Sequence, residues 1–140
     1  MSRAVVFIDG GSRGNPGLAG FGVRIEDENG SLVAELREAV GVATNNVAEY
    51  RGLLAALDYL VAHDYGSARI RSDSELLVRQ MRGEYRVKNA GLKPLHDEAR
   101  RLAARLDRVT FEHIRREANA EADRLANLAM DEAATLDPGT

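Results

Sequence analysis

The sequence predicts an α/β domain in which helices cover a mixed β-sheet. Ala4–Ile8 is a short, wholly apolar run of the kind found in buried central strands. Two stretches of alternating apolar residues flank Asn29-Gly30, a pair that favours a hairpin turn because both residues tolerate positive φ. Apolar residues at helical spacing then extend from about Thr44 to His63.

The first 40 residues are predicted to form three antiparallel strands. Ala4–Ile8 is the first strand, and the Asn29-Gly30 turn joins the second to the third. Apolar residues of the second and third strands alternate with other residues, namely Phe21, Val23 and Ile25, then Leu32, Ala34 and Leu36.

The rest of the chain is predicted to combine four helices with two further strands. The helix from about Thr44 to His63, capped by Thr44 or Asn45, precedes a strand at 68–71 and a short helix at 74–81. A loop then leads to a helix marked by residues 95–106, a strand at 109–113 and a final helix over 122–129, for which Asn119 is a candidate cap. The order βββαβααβα predicts a mixed sheet flanked by helices.

Length and composition indicate one ordinary globular domain. We expect residues 1–134 of the 140 to form it, and residues 135–140 to be a loose tail or the start of a linker. The absence of cysteine excludes disulfides, zinc–thiolate sites and thiol nucleophiles. No apolar run could span a membrane and the N-terminus is not a signal peptide, so we expect a cytoplasmic protein.

The net charge of −3 gives no overall argument for nucleic acid, but the charge is unevenly distributed. Between Arg79 and Arg116 there are 11 basic and 5 acidic residues, whereas the other residues include 8 basic and 17 acidic ones. This asymmetry is typical of a one-sided surface for a polyanion, and also of a solvated helix face.

Four carboxylates lie within or directly after apolar elements, where an unpaired charge is costly. They are Asp9, Glu49, Asp73 and Asp123. Each has a structural explanation, as a turn cap, a helix-terminus residue or the partner of an arginine. Convergence of all four at the ends of adjacent strands would instead require cations between them, and an all-oxygen site suits Mg²⁺ or Mn²⁺.

Several other catalytic patterns are excluded. The glycine-rich segment Gly10–Gly17 is not a P-loop, because no lysine precedes Lys88 and a strand follows the segment. A dinucleotide-binding fingerprint fails because a strand follows. The three histidines are scattered, with His63 and His96 expected on helix surfaces, so the nucleophile is expected to be an activated water.

Four segments in matching order resemble the type 1 ribonuclease H family, and each contains one of the four carboxylates. They are Asp9-Gly10-Gly11-Ser12-Arg13-Gly14-Asn15-Pro16-Gly17, Thr44-Asn45-Asn46-Val47-Ala48-Glu49-Tyr50-Arg51-Gly52, Ser72-Asp73-Ser74-Glu75, and Arg116-Glu117-Ala118-Asn119-Ala120-Glu121-Ala122-Asp123-Arg124-Leu125-Ala126-Asn127. The resemblance covers essentially the whole chain. It implies an RNase H-like fold, a five-stranded mixed sheet with strand order 3-2-1-4-5.

The resemblance also implies an activity and its cofactors. The activity is endonucleolytic cleavage of the RNA strand of an RNA–DNA hybrid, leaving 5′-phosphate and 3′-hydroxyl ends. Asp9, Glu49, Asp73 and Asp123 would hold two divalent ions, Mg²⁺ or Mn²⁺. One ion would activate water and the other would stabilise the leaving oxygen.

Matching positions indicate the residues that contact the duplex, where the 2′-hydroxyl distinguishes RNA from DNA. They are Gly10, Gly11, Asn15, Thr44, Asn45, Asn46, Glu75, Arg115, Arg116 and Asn119. Glu75 stands where the family often has glutamine, and an ionised carboxylate can only accept hydrogen bonds. Val42 replaces a basic residue that often lies two positions before Thr44.

Two departures make the sequence similar to the short, archaeal-type branch of the family. Residues 81–92 are too few for the basic helical protrusion of some bacterial members, and Arg79, Arg82, Arg86 and Lys88 are the local positive charges. Residues 109–123 are too few for the loop that contains a catalytic histidine in those members. We therefore interpret His113 as a packed strand residue rather than a proton shuttle.

Other functions stay open at this point. Some members of the short branch tolerate double-stranded RNA, so that substrate is an alternative. A non-catalytic hybrid-binding module would not require the four carboxylates, and a DNA-directed nuclease of the same fold would not require the RNA-reading asparagines. We expect a monomer that binds nucleic acid and no membrane.

Overall fold

A computed structural model describes residues 2–135, which form five strands and four α-helices. The strands are β1 (Ser2–Arg13), β2 (Gly17–Asp27), β3 (Leu32–Ala43), β4 (Tyr65–Ser72) and β5 (Arg108–His113). The helices are α1 (Asn45–Ala62), α2 (Glu75–Met81), α3 (Lys93–Ala103) and α4 (Ala120–Thr135), and a 3₁₀ turn at Arg116–Asn119 precedes α4. Of the expected tail, Thr135 belongs to α4, and residues 136–140 lie outside the described residues.

The five strands form one sheet in the order β3-β2-β1-β4-β5, which confirms the expected topology. β2 pairs antiparallel with β1 and β3, whereas β4 pairs parallel with β1 and β5. The last partners of the β1–β4 pair are Ile8 and Ser72, but β1 continues beside β2 as far as Arg13. β1 therefore extends beyond β4 and leaves a crevice at the carboxyl ends of the parallel strands, the usual place for a ligand in such sheets.

Helices cover both faces of the sheet. The inward-facing side chains of β1 pack with α1 in the main apolar core, and α4 packs against β2, β3 and β1. Gly10 and Gly11 point to opposite faces, as neighbouring strand residues do. A Cβ on Gly10 would meet the backbone of α1, whereas one on Gly11 would meet Met130 of α4. The end of β1 is thus held between α1 and α4.

Hydroxyl side chains cap the two helices nearest the crevice. The Thr44 hydroxyl oxygen accepts from the Val47 amide at 3.2 Å at the start of α1, and Ser74 accepts from Leu77 at 3.2 Å at the start of α2. Thr44 is confirmed as a cap. Since Ser74 caps α2, the Asp73 carboxylate is not needed for that purpose.

The structure corrects two local expectations. The first strand continues beyond its expected end at Ile8 as far as Arg13, because this part of the chain pairs with β2. The predicted Asn29-Gly30 turn between β2 and β3 is confirmed; Gly30 has positive φ, and the Asp27 carboxylate accepts from the amides of Asn29 and Ser31. His96 is not on the surface: its side chain is 12% exposed and packs edge-on against Tyr50.

In residues 2–135, no helix is long and apolar enough to cross a membrane.

Candidate active site

The sheet register places Asp9 and Asp73 side by side. Each follows one member of the last β1–β4 pair, Ile8 and Ser72. Parallel strands end at the same edge, so both carboxylates extend into the crevice where β4 stops. The Ser72 hydroxyl accepts from the Ser74 amide at 3.0 Å and fixes the turn that contains Asp73.

Gly10 brings Glu49 to the same edge. A Cβ at residue 10 would lie 2.4 Å from the Glu49 nitrogen and 2.5 Å from the Ala48 carbonyl carbon, distances that real Cβ atoms do not show. Only glycine permits this close approach of a strand to a helix. Gly10 follows Asp9 directly, so the contact places Glu49 next to the first aspartate.

Gly22 does the same for Asp123 on the other face of the sheet. Gly22 is the cross-strand partner of Asp9. A Cβ at residue 22 would lie 2.3 Å from the Ala122 carbonyl oxygen and 2.6 Å from the Ala126 nitrogen. The first turns of α4 therefore lie directly on the strand beside Asp9, and Asp123 belongs to that part of the helix.

All four predicted carboxylates line one open cleft of about 680 Å³. Other residues of the cleft come from the end of β1 and from residues 113–117, between β5 and α4. The structure thus brings the predicted carboxylates together from β1, α1, the β4–α2 turn and α4.

Burial and the neighbouring charges both disfavour the ionised forms of Asp9 and Glu49. Burial, together with the charge of Asp73 and a hydrogen bond with the Asp123 carboxyl, raises the pKa of Asp9 from 3.8 to about 8. Burial also raises the pKa of Glu49 from 4.5 to about 7; a hydrogen bond from the Ser74 hydroxyl opposes this shift and the charge of Asp73 adds to it. Cations between these groups would relieve the repulsion.

The donor set fits a hard divalent cation. The four side chains offer only carboxylate oxygens, the ligands that Mg²⁺ and Mn²⁺ prefer. Within residues 2–135, no three His, Asp or Glu side chains are already arranged as a metal site. The fit therefore rests on the chemistry of the donors and on their repulsion.

The predicted substrate-binding residues divide into two groups. Five of them line the cleft: Gly10, Gly11, Asn45, Arg115 and Arg116. The other five, Asn15, Thr44, Asn46, Glu75 and Asn119, are not part of its lining.

Two of the predicted asparagines hold the cleft rim together. The Asn45 side-chain oxygen accepts from the Ser12 amide at 2.7 Å, and the Asn45 amide donates to the side-chain oxygen of Asn15 at 3.0 Å. These bonds connect the start of α1 to the end of β1. Asn46 is exposed, and Glu75 pairs with Arg79 at 2.9 Å on the exposed side of α2.

The expected cap by Asn119 is wrong. Asn119 is the last residue of the 3₁₀ turn, 1% exposed, and its side-chain nitrogen donates to the Ile8 carbonyl at 2.8 Å. Its side-chain oxygen accepts no hydrogen bond, so it caps no helix amide. Because the side chain is enclosed, the expected direct contact with a duplex is also not available in this conformation.

The interpretation of His113 as a packed residue is wrong as well. His113 does alternate with Val109 and Phe111 as expected, but it is exposed and lines the cleft. It is the last residue of β5 and pairs with Ser72, at the edge where the apolar core ends. Its ring nitrogen Nε2 lies 3.3 Å from the Asp73 carbonyl oxygen.

Sequence reasoning missed Arg13 and Asn127 as cleft residues. The Arg13 guanidinium bonds to Asp131 at 2.6 Å and approaches the Asn127 carbonyl at 3.4 Å, which links the end of β1 to α4. Asn127 also donates to the Asp123 carbonyl at 3.0 Å. Both residues belong to the quoted motifs. Arg13 lies four residues after Asp9, and Asn127 lies about one helical turn after Asp123; these spacings could have identified them.

Comparison with known proteins identifies relatives along nearly the whole chain. Residues 7–129 match the reverse transcriptase-like family. The bifunctional protein Rv2228c of Mycobacterium tuberculosis is 47% identical over 94% of this chain, but the match includes 36% of that protein. The chain thus spans about a third of the length of the first curated relatives it matches. Ribonuclease H of Ruthia magnifica is 31% identical over 96% of this chain and 100% of its own length.

Solved structures show the same fold. The N-terminal ribonuclease H domain of Rv2228c superposes with a TM-score of 0.93 at 46% identity, over 96% of this chain and 98% of that one. Ribonuclease H1 of Halobacterium salinarum gives 0.90 at 37% identity, over 93% and 98%. LC11 ribonuclease H1, isolated from compost and solved with an RNA/DNA hybrid, gives 0.89 at 42% identity, over 94% and 99%.

The resemblance seen in the four motifs therefore has independent support from the family match, from a full-length relative and from the fold. The chain belongs to the ribonuclease H family of enzymes.

Proposed function

We propose that this chain cleaves the RNA strand of RNA–DNA hybrids with two divalent cations held by Asp9, Glu49, Asp73 and Asp123. The observation that carries the proposal is the convergence of these four carboxylates, from four separate elements, in one cleft. The close contacts at Gly10 and Gly22 support it, because the absence of a side chain at both positions allows α1 and α4 to bring Glu49 and Asp123 close to Asp9.

The raised pKa values of Asp9 and Glu49 support the metal assignment. Such groups in an all-oxygen cluster gain from a neighbouring cation, which favours the ionised form. Bound Mg²⁺ or Mn²⁺ would polarise the attacking water and neutralise charge on the leaving 3′ oxygen, so the products would be 5′-phosphate and 3′-hydroxyl ends. Asp9 is close enough to the other three carboxylates for each of them to raise its pKa, so it belongs to the same proposed ligand set.

His113 is the residue of the cleft best suited to move a proton. Its exposed ring lies beside Asp73 in the cleft, and imidazole is the side chain that most often serves as a general acid or base. We propose that it transfers a proton to or from the reacting groups, a role that the short loop before α4 does not prevent.

We propose that the duplex is contacted by Arg115, Arg116 and the backbone of Gly10 and Gly11. The two arginines are exposed at the cleft edge and offer charge to phosphates. Thr44, Asn15, Asn46 and Glu75 lie outside the cleft lining and are proposed to bind further along the duplex. The hybrid-bound state of LC11 ribonuclease H1 supports the substrate class.

The proposal extends to a monomer that acts in the cytoplasm as a single catalytic domain over residues 1–134. Gel filtration with and without a short hybrid tests the oligomeric state. One protein per hybrid of minimal length is the expected result.

The substrate is tested with one end-labelled RNA strand annealed either to DNA or to RNA, in Mg²⁺, Mn²⁺ or EDTA. We expect metal-dependent cleavage of the hybrid, and a DNA duplex serves as the control for a DNA-directed nuclease. Cleavage of the RNA duplex as well would identify relaxed recognition of the second strand. Binding of the hybrid without cleavage in any metal would contradict the proposal and indicate a binding module.

A further inference from the structure

Asn119 is a buried amide that uses only part of its hydrogen-bonding capacity. Its nitrogen donates to the Ile8 carbonyl at 2.8 Å, and its side-chain oxygen is enclosed without a partner. A backbone carbonyl can only accept, so the NH₂ end must face Ile8 and the orientation of the amide is determined.

This one hydrogen bond joins the two parts of the chain that contain Asp9 and Asp123. Ile8 directly precedes Asp9 and is the last β1 residue paired with β4. Asn119 directly precedes α4 and lies four residues before Asp123. The bond therefore joins β1 to the segment before α4 at the point where the pairing of β1 with β4 ends.

An aliphatic side chain would fill the same space without a buried, unpaired oxygen, which costs free energy. Gln80, another buried amide, differs because its side-chain oxygen accepts from the Tyr50 hydroxyl at 2.7 Å. A half-satisfied amide that joins the segments containing Asp9 and Asp123 indicates a constraint other than stability.

We propose that Asn119 is a positioning residue that sets the separation of Asp9 and Asp123 by tying the start of α4 to β1. The inference rests on the proposed function of the cleft. Asn119 is buried outside the cleft lining, so we infer that it acts through the Ile8 carbonyl. Without it, the start of α4 is held by the contact at Gly22, and the segment before it by the bond from the Ile114 amide to the Ser72 carbonyl at 2.9 Å.

The test compares Asn119→Ala, Asn119→Ser and the control Gln80→Ala with the wild type. The first measurement is the rise in melting temperature caused by Mg²⁺ without nucleic acid; the second is the turnover of a hybrid. We expect Asn119→Ala to raise the Mg²⁺ concentration at half-maximal stabilisation about tenfold and to lower kcat more than it changes KM. Asn119→Ser keeps a hydroxyl donor and should be intermediate.

Gln80→Ala removes a buried hydrogen bond outside the cleft, so it should lower the melting temperature without changing the Mg²⁺ midpoint. The same behaviour in Asn119→Ala would show a merely structural role and overturn the inference. If the alanine variant does not fold, the serine variant decides by the same criterion. A wild type that shows neither Mg²⁺-dependent stabilisation nor cleavage would instead contradict the proposed function.

Discussion

At the residue scale, the cleft is shaped by the opposing demands of burial and charge. Asp9 and Glu49 are largely enclosed and lie near other carboxylates, so both hold protons more tightly than usual. Without cations, these residues lower the stability of the fold near neutral pH. The binding of a ligand, rather than the stability of the fold, therefore explains why these carboxylates are present.

The first prediction concerns the stability of the metal-free protein. The pKa of Asp9 is raised from 3.8 to about 8, so between these values the folded state binds a proton that the unfolded chain has lost. Stability from this group is complete below pH 4 and falls as the pH rises to 8. Asp9→Asn removes the titrating carboxyl group. In EDTA at pH 8, its melting temperature should be on the order of 5 °C above that of wild type.

The difference between Asp9→Asn and wild type should shrink towards pH 4. Asp107 is an exposed aspartate in the turn before β5, and the control Asp107→Asn should change the melting temperature little. A melting temperature of Asp9→Asn below that of wild type at pH 8 would contradict the account of this cluster.

The second prediction concerns His113. Because the side chain is exposed and makes one long contact, His113→Ala should change stability by less than about 0.5 kcal/mol. Its place in the cleft predicts a loss of turnover of about 10²-fold, the lower range for a proton-transfer group. Single-turnover cleavage and urea unfolding measure the two effects. His63→Ala, at the far end of α1, is the control, and equal turnover of the two variants would exclude the role of His113.

At the element scale, close contacts at glycine matter more than ion pairs. Strand β1 is held against α1 through Gly10, and strand β2 against α4 through Gly22. Ion pairs between α4 and the sheet, such as Arg37 with Glu132 at 2.8 Å, are exposed to solvent and are screened. The position of α4, and with it Asp123, is thus set mainly by packing.

The third prediction follows from this ranking. Gly22→Ala should destabilise the protein by about 3 kcal/mol or more, because the new methyl group meets backbone atoms that cannot move independently. Gly11→Ala, on the opposing strand, meets only the Met130 side chain at 3.7 Å and should be well tolerated. Glu132→Gln should leave the urea midpoint unchanged. A larger effect for Glu132→Gln than for Gly22→Ala would reverse the ranking.

At the scale of the whole molecule, the sequence was sufficient for the element order, the strand order and the four carboxylates. Strand alternation and helical spacing determine the elements, and the family motifs supplied the topology. Both signals are local, so they missed the extent of β1: the apolar run ends at Ile8, and the continuation to Arg13 depends on pairing with β2.

The same limit explains the errors at the site. His113 continues the alternation of Val109 and Phe111, but it is the last residue of β5 and is exposed in the cleft. Asn119 precedes α4 as a cap would, yet the Ile8 carbonyl, 111 residues away in the chain, takes its amide. The link from Arg13 to Asp131 spans 118 residues. Contacts of such sequence separation depend on the assembled fold and have no local pattern.

The measurement that tests the central claim most directly is single-turnover cleavage of a labelled RNA–DNA hybrid across a Mg²⁺ titration, for wild type, Asp73→Asn and Asp107→Asn. The account predicts Mg²⁺-dependent cleavage by wild type and by Asp107→Asn. For Asp73→Asn it predicts a loss of roughly 10³-fold or more with a folded protein, because a carboxylate that holds a cation is replaced by a neutral amide. Cleavage by Asp73→Asn at the wild-type rate, or cleavage by wild type in EDTA, would contradict it.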